Sequence, residues 1–282
     1  MIPRVAVLSG FGINCETETM AVFEMAGAKA DRVHVNRLVN GELNLEDYHI
    51  MAVPGGFSFG DHLGSGRLMG NRLRFGLREQ VRKFVKSGKP VIGICNGFQV
   101  LVKMGLLPGD DDVSLTQTAS LALNDSGHYE NRWATLEFDS ESHCIWTKGM
   151  TRIRVPVRHG EGKFVTADKN LLDDWGEGGQ LVVKYVDPST EYPSSTDEVL
   201  PYPISPNQSW RNIAGVCDPS GLVKPENSEN FEASMEGHEC NYLGKVNSGD
   251  NITISNQGIP ILIASMSELR DSWKNTLNGG VN

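Results

Sequence analysis

The 282-residue chain lacks several common signatures, and each absence excludes something. It has no run of ~20 apolar residues, so no helical membrane span is expected. Its five cysteines, at 15, 95, 144, 217 and 240, are odd in number, widely spaced and without a CxxC pair. That excludes a disulfide framework and a zinc knuckle, predicts no metal site, and suits a reducing cytoplasm. Basic residues are in deficit, 26 against 35 acidic, for a net charge of −9. Such a surface argues against nucleic acid or an anionic membrane as a partner. The opening run Met1-Ile2-Pro3-Arg4-Val5-Ala6-Val7-Leu8 is too short for a signal peptide and reads as a first strand. The Gly-rich turn after it, Ser9-Gly10-Phe11-Gly12-Ile13-Asn14, lacks the GxGxxG spacing of a dinucleotide site.

What the chain does have is centred on Pro90 to Leu101. Val91, Ile92 and Ile94 read as a buried strand, and Phe98 to Met104 as a helix. Cys95 lies between them, with Gly93 and Gly97 on either side. That is the strand–turn–helix layout of a nucleophile elbow, where the reactive residue sits in a strained backbone and bulky neighbours would collide. The helix N-terminus aimed at the sulfur is expected to favour the thiolate. The competing reading is a small buried hydrophobe at a strand end.

Upstream the pattern alternates. Arg4 to Leu8, Ala30 to Val35 and His49 to Val53 read as strands, Glu16 to Ala26 as a helix, and Leu45 to Tyr48 as a helical turn. Asn71 to Lys86 reads as one long amphipathic helix, with Leu73, Leu77, Val81, Phe84 and Val85 inward. Alternation with short loops predicts an α/β fold, a doubly wound parallel-centred sheet with helices on both faces. The third strand runs into Pro54-Gly55-Gly56-Phe57, whose adjacent glycines expose backbone N–H groups in the manner of an oxyanion hole or, more plainly, of a tight turn.

Beyond Gly109 the chain turns more antiparallel, with strands expected over 120–123, 133–138, 153–157 and 181–186. In Arg158-His159-Gly160-Glu161-Gly162, a strand would put His159 and Glu161 on one face, as a base with its orienting acid or as a polar ligand site. A polar, Pro-rich segment follows from Asp187 to Trp210.

Together these stretches resemble a known family, the glutaminase subunit or domain of phosphoribosylformylglycinamidine synthase, a class I triad-type glutamine amidotransferase of flavodoxin-like fold. The resemblance rests on Val5–Thr17 (VAVLSGFGINCET), Val53–Leu63 (VPGGFSFGDHL), Gly93–Gly109 (GICNGFQVLVKMGLLPG), Asn131–Phe138, Val155–Phe164 (VPVRHGEGKF) and Asn207–Gly221 (NQSWRNIAGVCDPSG). It covers residues 1–223 as one amidotransferase domain and leaves 224–282 as an atypical tail.

The resemblance implies that Cys95 attacks the side-chain amide of glutamine and forms a glutamyl thioester. Gly55, Gly56, Asn96 and Gln99 would form the oxyanion and substrate-binding set, with His159 and Glu161 nearby. No cofactor is implied in this chain. ATP and magnesium belong to the synthetase partner, which receives the ammonia and amidinates formylglycinamide ribonucleotide; a small third subunit completes such assemblies. The cytoplasm is the expected compartment.

The resemblance breaks after Val223. A Gly-Leu-Met-Pro-His-Pro-Glu type segment carries the family's catalytic His and Glu, and here the chain reads Lys224-Pro225-Glu226-Asn227. Pro225-Glu226 is the only remnant. The candidates for the base are His238 with Glu239, His159 with Glu161, or none, in which case the chain is an impaired partner or scaffold of the same fold. An independent cysteine hydrolase is a third reading. Short stretches between Phe231 and Trp273 resemble the closing segment of the synthetase partner, and the tail is expected to hold a hairpin over 251–255 and 259–264 and a short helix over 267–276.

Overall fold

In the computed structural model, residues 2–194, 197–221, 251–256 and 259–265 are described, the last two stretches as backbone only. The first half alternates: β1 (Arg4–Ser9), α1 (Glu16–Met25), β2 (Lys29–His34), α2 (Val35–Val39), β3 (Ile50–Val53), α3 (Arg67–Gly76), α4 (Arg78–Lys86), β4 (Val91–Gly93) and α5 (Asn96–Met104). The second half holds β5 (Ala119–Ala122), β6 (Glu130–Phe138), β7 (Arg152–His159), β8 (Lys163–Thr166), α6 (Leu171–Glu177), β9 (Val183–Tyr185) and β10 (Ile213–Gly215).

Strands β1 to β4 form one parallel sheet in the order β2-β1-β3-β4. Side chains alternate across it, as the two-residue period of a strand requires. Ala6, Leu8, Val33, Met51 and Val53 face α2, α3, α4 and α5, whose Leu38, Met69, Leu73, Val81, Phe84 and Leu101 complete the main core. Val5, Val7, Ala30 and Ala52 face the other way, onto Met20 and Phe23 of α1. Helices therefore cover both faces, as expected. Chain order reverses between β1 and β3, and a sheet of this kind places ligands at the carboxyl ends of the strands beside that switch. The turns after β1, β3 and β4 all open there.

A second, antiparallel sheet in the order β10-β9-β6-β7 and a two-stranded pair β5-β8 follow. Phe164 and Trp175 meet edge to face in the core beneath β5 and β8, with Val102 of α5 in the same cluster. The elbow helix thus belongs to both cores.

One expectation is corrected. The segment 71–86 is not a single helix, because Leu77 leaves helical geometry (φ −128°, ψ 15°) between α3 and α4. Gly76, a poor helix former, packs so near Val39 that a β-carbon there would sit 3.1 Å from its side chain. The inward face was read correctly, since Leu73, Leu77, Val81, Phe84 and Val85 are all buried.

The chain divides into two compact units, Met1–Glu236 and Gly237–Asn282. In the second, β11 (Asn251–Asn256) and β12 (Ile259–Ser265) pair antiparallel, the expected hairpin. The helix expected over 267–276 lies outside the described residues, as do Glu226, His238 and Glu239. No described helix is long and apolar enough to cross a membrane.

Candidate active site

Cys95 occupies the turn between β4 and α5 at φ 56°, ψ −113°, a strained conformation for a residue with a side chain. The strain is held by close packing on both sides. A side chain at Gly97 would run into the carbonyl of Val53, and one at Gly93 would begin 2.6 Å from the carbonyl oxygen of Gly97. Val53, at the end of β3, pairs in register with Gly93, so the elbow is pressed against the loop that follows β3.

That loop brings the second component. The backbone N–H groups of Gly56 and Asn96 lie on the Cys95 side of this turn, near enough to its sulfur to favour the thiolate. Gly56 reaches this position at φ 142°, and a β-carbon there would lie 2.7 Å from the carbonyl oxygen of Gly12. Only glycine fits so near another backbone at that angle. Cys95, Gly56 and Asn96 are therefore brought together, with Gly55 against the Cys95 β-carbon. Two convergent N–H groups beside a thiol can hold an oxygen that becomes negative during attack on a carbonyl.

The expected lowering of the thiol is corrected. Partial burial raises the Cys95 pKa above the ordinary thiol range and outweighs the two N–H donors, while the nearby Asp61 carboxylate adds in the same direction. In the isolated chain the thiol form is favoured.

A polar network fixes the two loops to one another. The buried Asn96 side chain accepts from Ser58 N–H at 3.1 Å and donates to Gln99 Oε1 at 2.9 Å and Asp61 Oδ1 at 3.3 Å. Gln99 in turn donates to the Glu161 carbonyl at 2.6 Å. Both carboxylate oxygens of Glu161 accept from Ser65 N–H at 3.1 Å. Burial raises the Asp61 pKa, against hydrogen bonds from Ser65 and Asn96. Asp61, Ser58 and Ser65 were not singled out in the sequence; the signal available was a polar residue at each bend of the loop after β3.

The reading of His159 and Glu161 as a same-face pair is also corrected. β7 ends at His159 and a turn begins, so the two side chains go to different neighbours. His159 Nδ1 donates to Asn124 Oδ1 at 3.1 Å, an oxygen that also accepts from Gly162 N–H. Its Nε2 faces donors from Tyr185 and Asn207, each at 3.5 Å. Burial lowers the His159 pKa, with its own backbone and the Glu130 carboxylate opposing, and so disfavours the imidazolium form. The neighbouring backbone does reach the elbow: the Arg158 carbonyl oxygen faces the Cys95 sulfur at 4.0 Å. Tyr129, half exposed, stands near enough to Cys95 to feel its charge, and was not anticipated.

A parallel sheet with a cysteine elbow and two N–H donors is the frame of a glutamine amidotransferase domain, and the CobB/CobQ-like glutamine amidotransferase domain matches residues 2–225. The phosphoribosylformylglycinamidine synthase subunit PurQ of Methanococcus maripaludis is 43% identical over 225 residues, 79% of each chain. That of Treponema denticola is 41% identical over 245 residues, covering 81% of this chain and 89% of its own. A solved structure of PurLQS from Thermotoga maritima superposes with a TM-score of 0.57 at 28% identity, over 79% of this chain and 85% of that one. The chain belongs to the family of phosphoribosylformylglycinamidine synthase subunits PurQ.

Proposed function

We propose that this chain is a glutaminase subunit that supplies ammonia for the amidination of formylglycinamide ribonucleotide in purine biosynthesis, with Cys95 as nucleophile. The observation that carries the reading is the strained Cys95 at the strand–helix turn, with the glycine loop after β3 packed against its β-carbon. The thiolate attacks the carboxamide carbon of glutamine, and the carbonyl oxygen takes up negative charge beside the N–H groups of Gly56 and Asn96. Collapse of this intermediate expels the nitrogen, which leaves as ammonia once protonated. A glutamyl thioester on Cys95 remains, and water hydrolyses it to glutamate and the free thiol. The backbone charge stabilisation acts in both halves of the reaction.

Ammonia passes to a synthetase partner, and a small third subunit joins the complex, a reading supported by the PurLQS match. ATP and magnesium act in that partner, and this chain needs no cofactor of its own. Exposed free thiols at Cys15 and Cys95 suit the cytoplasm.

A second reading, an amidotransferase-fold partner with little activity, is favoured by one fact: no His-Pro-Glu segment follows Val223. Ammonia release from glutamine, measured with and without the synthetase, separates the two. In the complex, Cys95→Ala is expected to abolish glutamine-dependent amidination and to spare amidination from free ammonia. Equal loss of both would overturn the assignment of Cys95.

A further inference from the structure

Cys15 and Cys95 come from different turns of the parallel sheet and meet across Gly55. A side chain at Gly55 would begin 3.3 Å from the Cys95 β-carbon and 3.6 Å from the Cys15 sulfur. Gly55 has none, so both cysteine side chains border the space that a β-carbon there would fill. Their approach is built by the backbone. Asn14 N–H and Cys15 N–H both donate to the Gly55 carbonyl at 3.2 Å, and Ile13 bridges Gly56. Cys15 is thereby tied to the loop that faces the Cys95 sulfur. Both thiols are free and exposed. The Cys15 sulfur makes one long contact, 3.4 Å to Asn14 Oδ1, at the surface.

We infer that Cys15 is the resolving partner of Cys95: when a peroxide oxidises the Cys95 sulfur, Cys15 captures it as a disulfide and shuts the site reversibly. In the first step the Cys95 thiolate attacks one oxygen of hydrogen peroxide, the O–O bond breaks, and hydroxide leaves and is protonated to water. Cys95 is then a sulfenic acid. In the second, the Cys15 thiolate attacks the sulfenic sulfur, the S–S bond forms, the S–O bond breaks, and the departing hydroxide is protonated to a second water. Two thiols and one peroxide give one disulfide and two waters. Peroxide is reduced, and the sulfurs supply the electron pair.

The disulfide removes the nucleophile and spares it from sulfinic acid, which ordinary thiols do not reverse. Both residues are exposed overall, yet the protein atoms packed around each sulfur strip solvent from its charged form and raise both thiols, and Glu18, Cys95 and Glu16 raise Cys15 further. Oxidation is therefore slow at neutral pH and accelerates as pH rises, which suits protection under sustained oxidant better than the sensing of traces.

The inference rests on the proposed glutaminase only for its effect on activity; the link itself is read by mass. The full chain is treated with hydrogen peroxide, residual thiols are blocked with iodoacetamide, and the chain is digested without reduction. A peptide joining Cys15 to Cys95 is expected, and dithiothreitol should remove it and restore ammonia release from glutamine. Cys15→Ser should match the parent before oxidation, accumulate Cys95 sulfinic acid under peroxide, and recover almost nothing with dithiothreitol. Cys15→Ala should behave as Cys15→Ser. Three results would overturn the inference: Cys95 oxidised with no link to Cys15, Cys95 linked instead to Cys144, Cys217 or Cys240, or Cys15→Ser recovering as fully as the parent. A Cys15–Cys95 peptide from a chain without glutaminase activity would uphold the link and count against the proposed function alone.

Discussion

The Asn96 carboxamide joins the two loops whose N–H groups face the Cys95 sulfur. Its oxygen is the partner of the buried Ser58 N–H, and its nitrogen serves Gln99 and Asp61. Truncation to alanine strands that N–H, at a cost of about 1–3 kcal/mol. It also frees the Gly56 loop to drift from the elbow. Loss of a whole oxyanion donor typically lowers kcat by ~10²–10³, and a displaced donor should cost less. For Asn96→Ala we therefore expect kcat for glutamine to fall by about 10–10², with KM less affected. The alkylation of Cys95 by iodoacetamide, which develops no oxyanion, should keep its rate. Parallel loss of alkylation would mean a collapsed site. The Cys95 thiol itself gives a pH test. Because burial raises its pKa, the thiolate fraction at neutral pH lies below that of an ordinary cysteine. Its alkylation without glutamine should be slow at pH 7 and still climbing where a free thiol has levelled off.

At the scale of elements, the β6–β7 hairpin carries a nearly buried Glu137 whose carboxylate takes Nε and Nη2 of Arg152 at 2.8 and 2.6 Å. Arg152 also holds the carbonyls of Thr190 and Glu191, and Glu137 accepts from Ser194 N–H. One ion pair thus fastens the Pro-rich segment to the sheet. Removing the arginine leaves a carboxylate with little solvent, so Arg152→Ala should destabilise by about 3 kcal/mol, the lower end for a broken buried pair. A lower Tm with faster proteolysis within 187–194 would show it; an unchanged cleavage pattern would detach this segment from the pair. Segments like this explain which elements could be read in advance. The strands Arg4–Ser9 and Ile50–Val53 are buried on both faces and announce themselves as apolar runs. Helix α2 has five residues, and it exists because Val35 and Leu38 pack inward and His34 Nδ1 accepts from Asn36 N–H. Neither cause leaves a periodic trace. The alternation rule placed His159 and Glu161 together, and it failed because β7 stops at His159.

For the molecule as a whole, the elbow and the loop after β3 were legible because each is a short motif with steric demands of its own. The setting of His159 was not, since its partners Asn124, Tyr185 and Asn207 are gathered from a span of the chain that only folding brings together. The base poses the remaining question at this scale. A thiol raised by burial needs help to lose its proton, and the departing nitrogen needs one. General acid–base catalysis contributes ~10²–10⁴-fold to such steps. One described imidazole in this region, His159, already has both nitrogens engaged. The family's own base segment has no counterpart after Val223. We therefore expect glutamine turnover well below that of a relative carrying the motif. Replacement of residues 224–230 by Gly-Leu-Met-Pro-His-Pro-Glu should raise kcat toward the ~10²–10⁴-fold span of a restored base, with an acidic limb in the pH profile where the new imidazole becomes protonated. His238→Ala in the parent decides the alternative. A large fall would make His238 the base already at work, whereas unchanged low turnover together with rescue by the replaced segment would trace the deficit to the missing histidine.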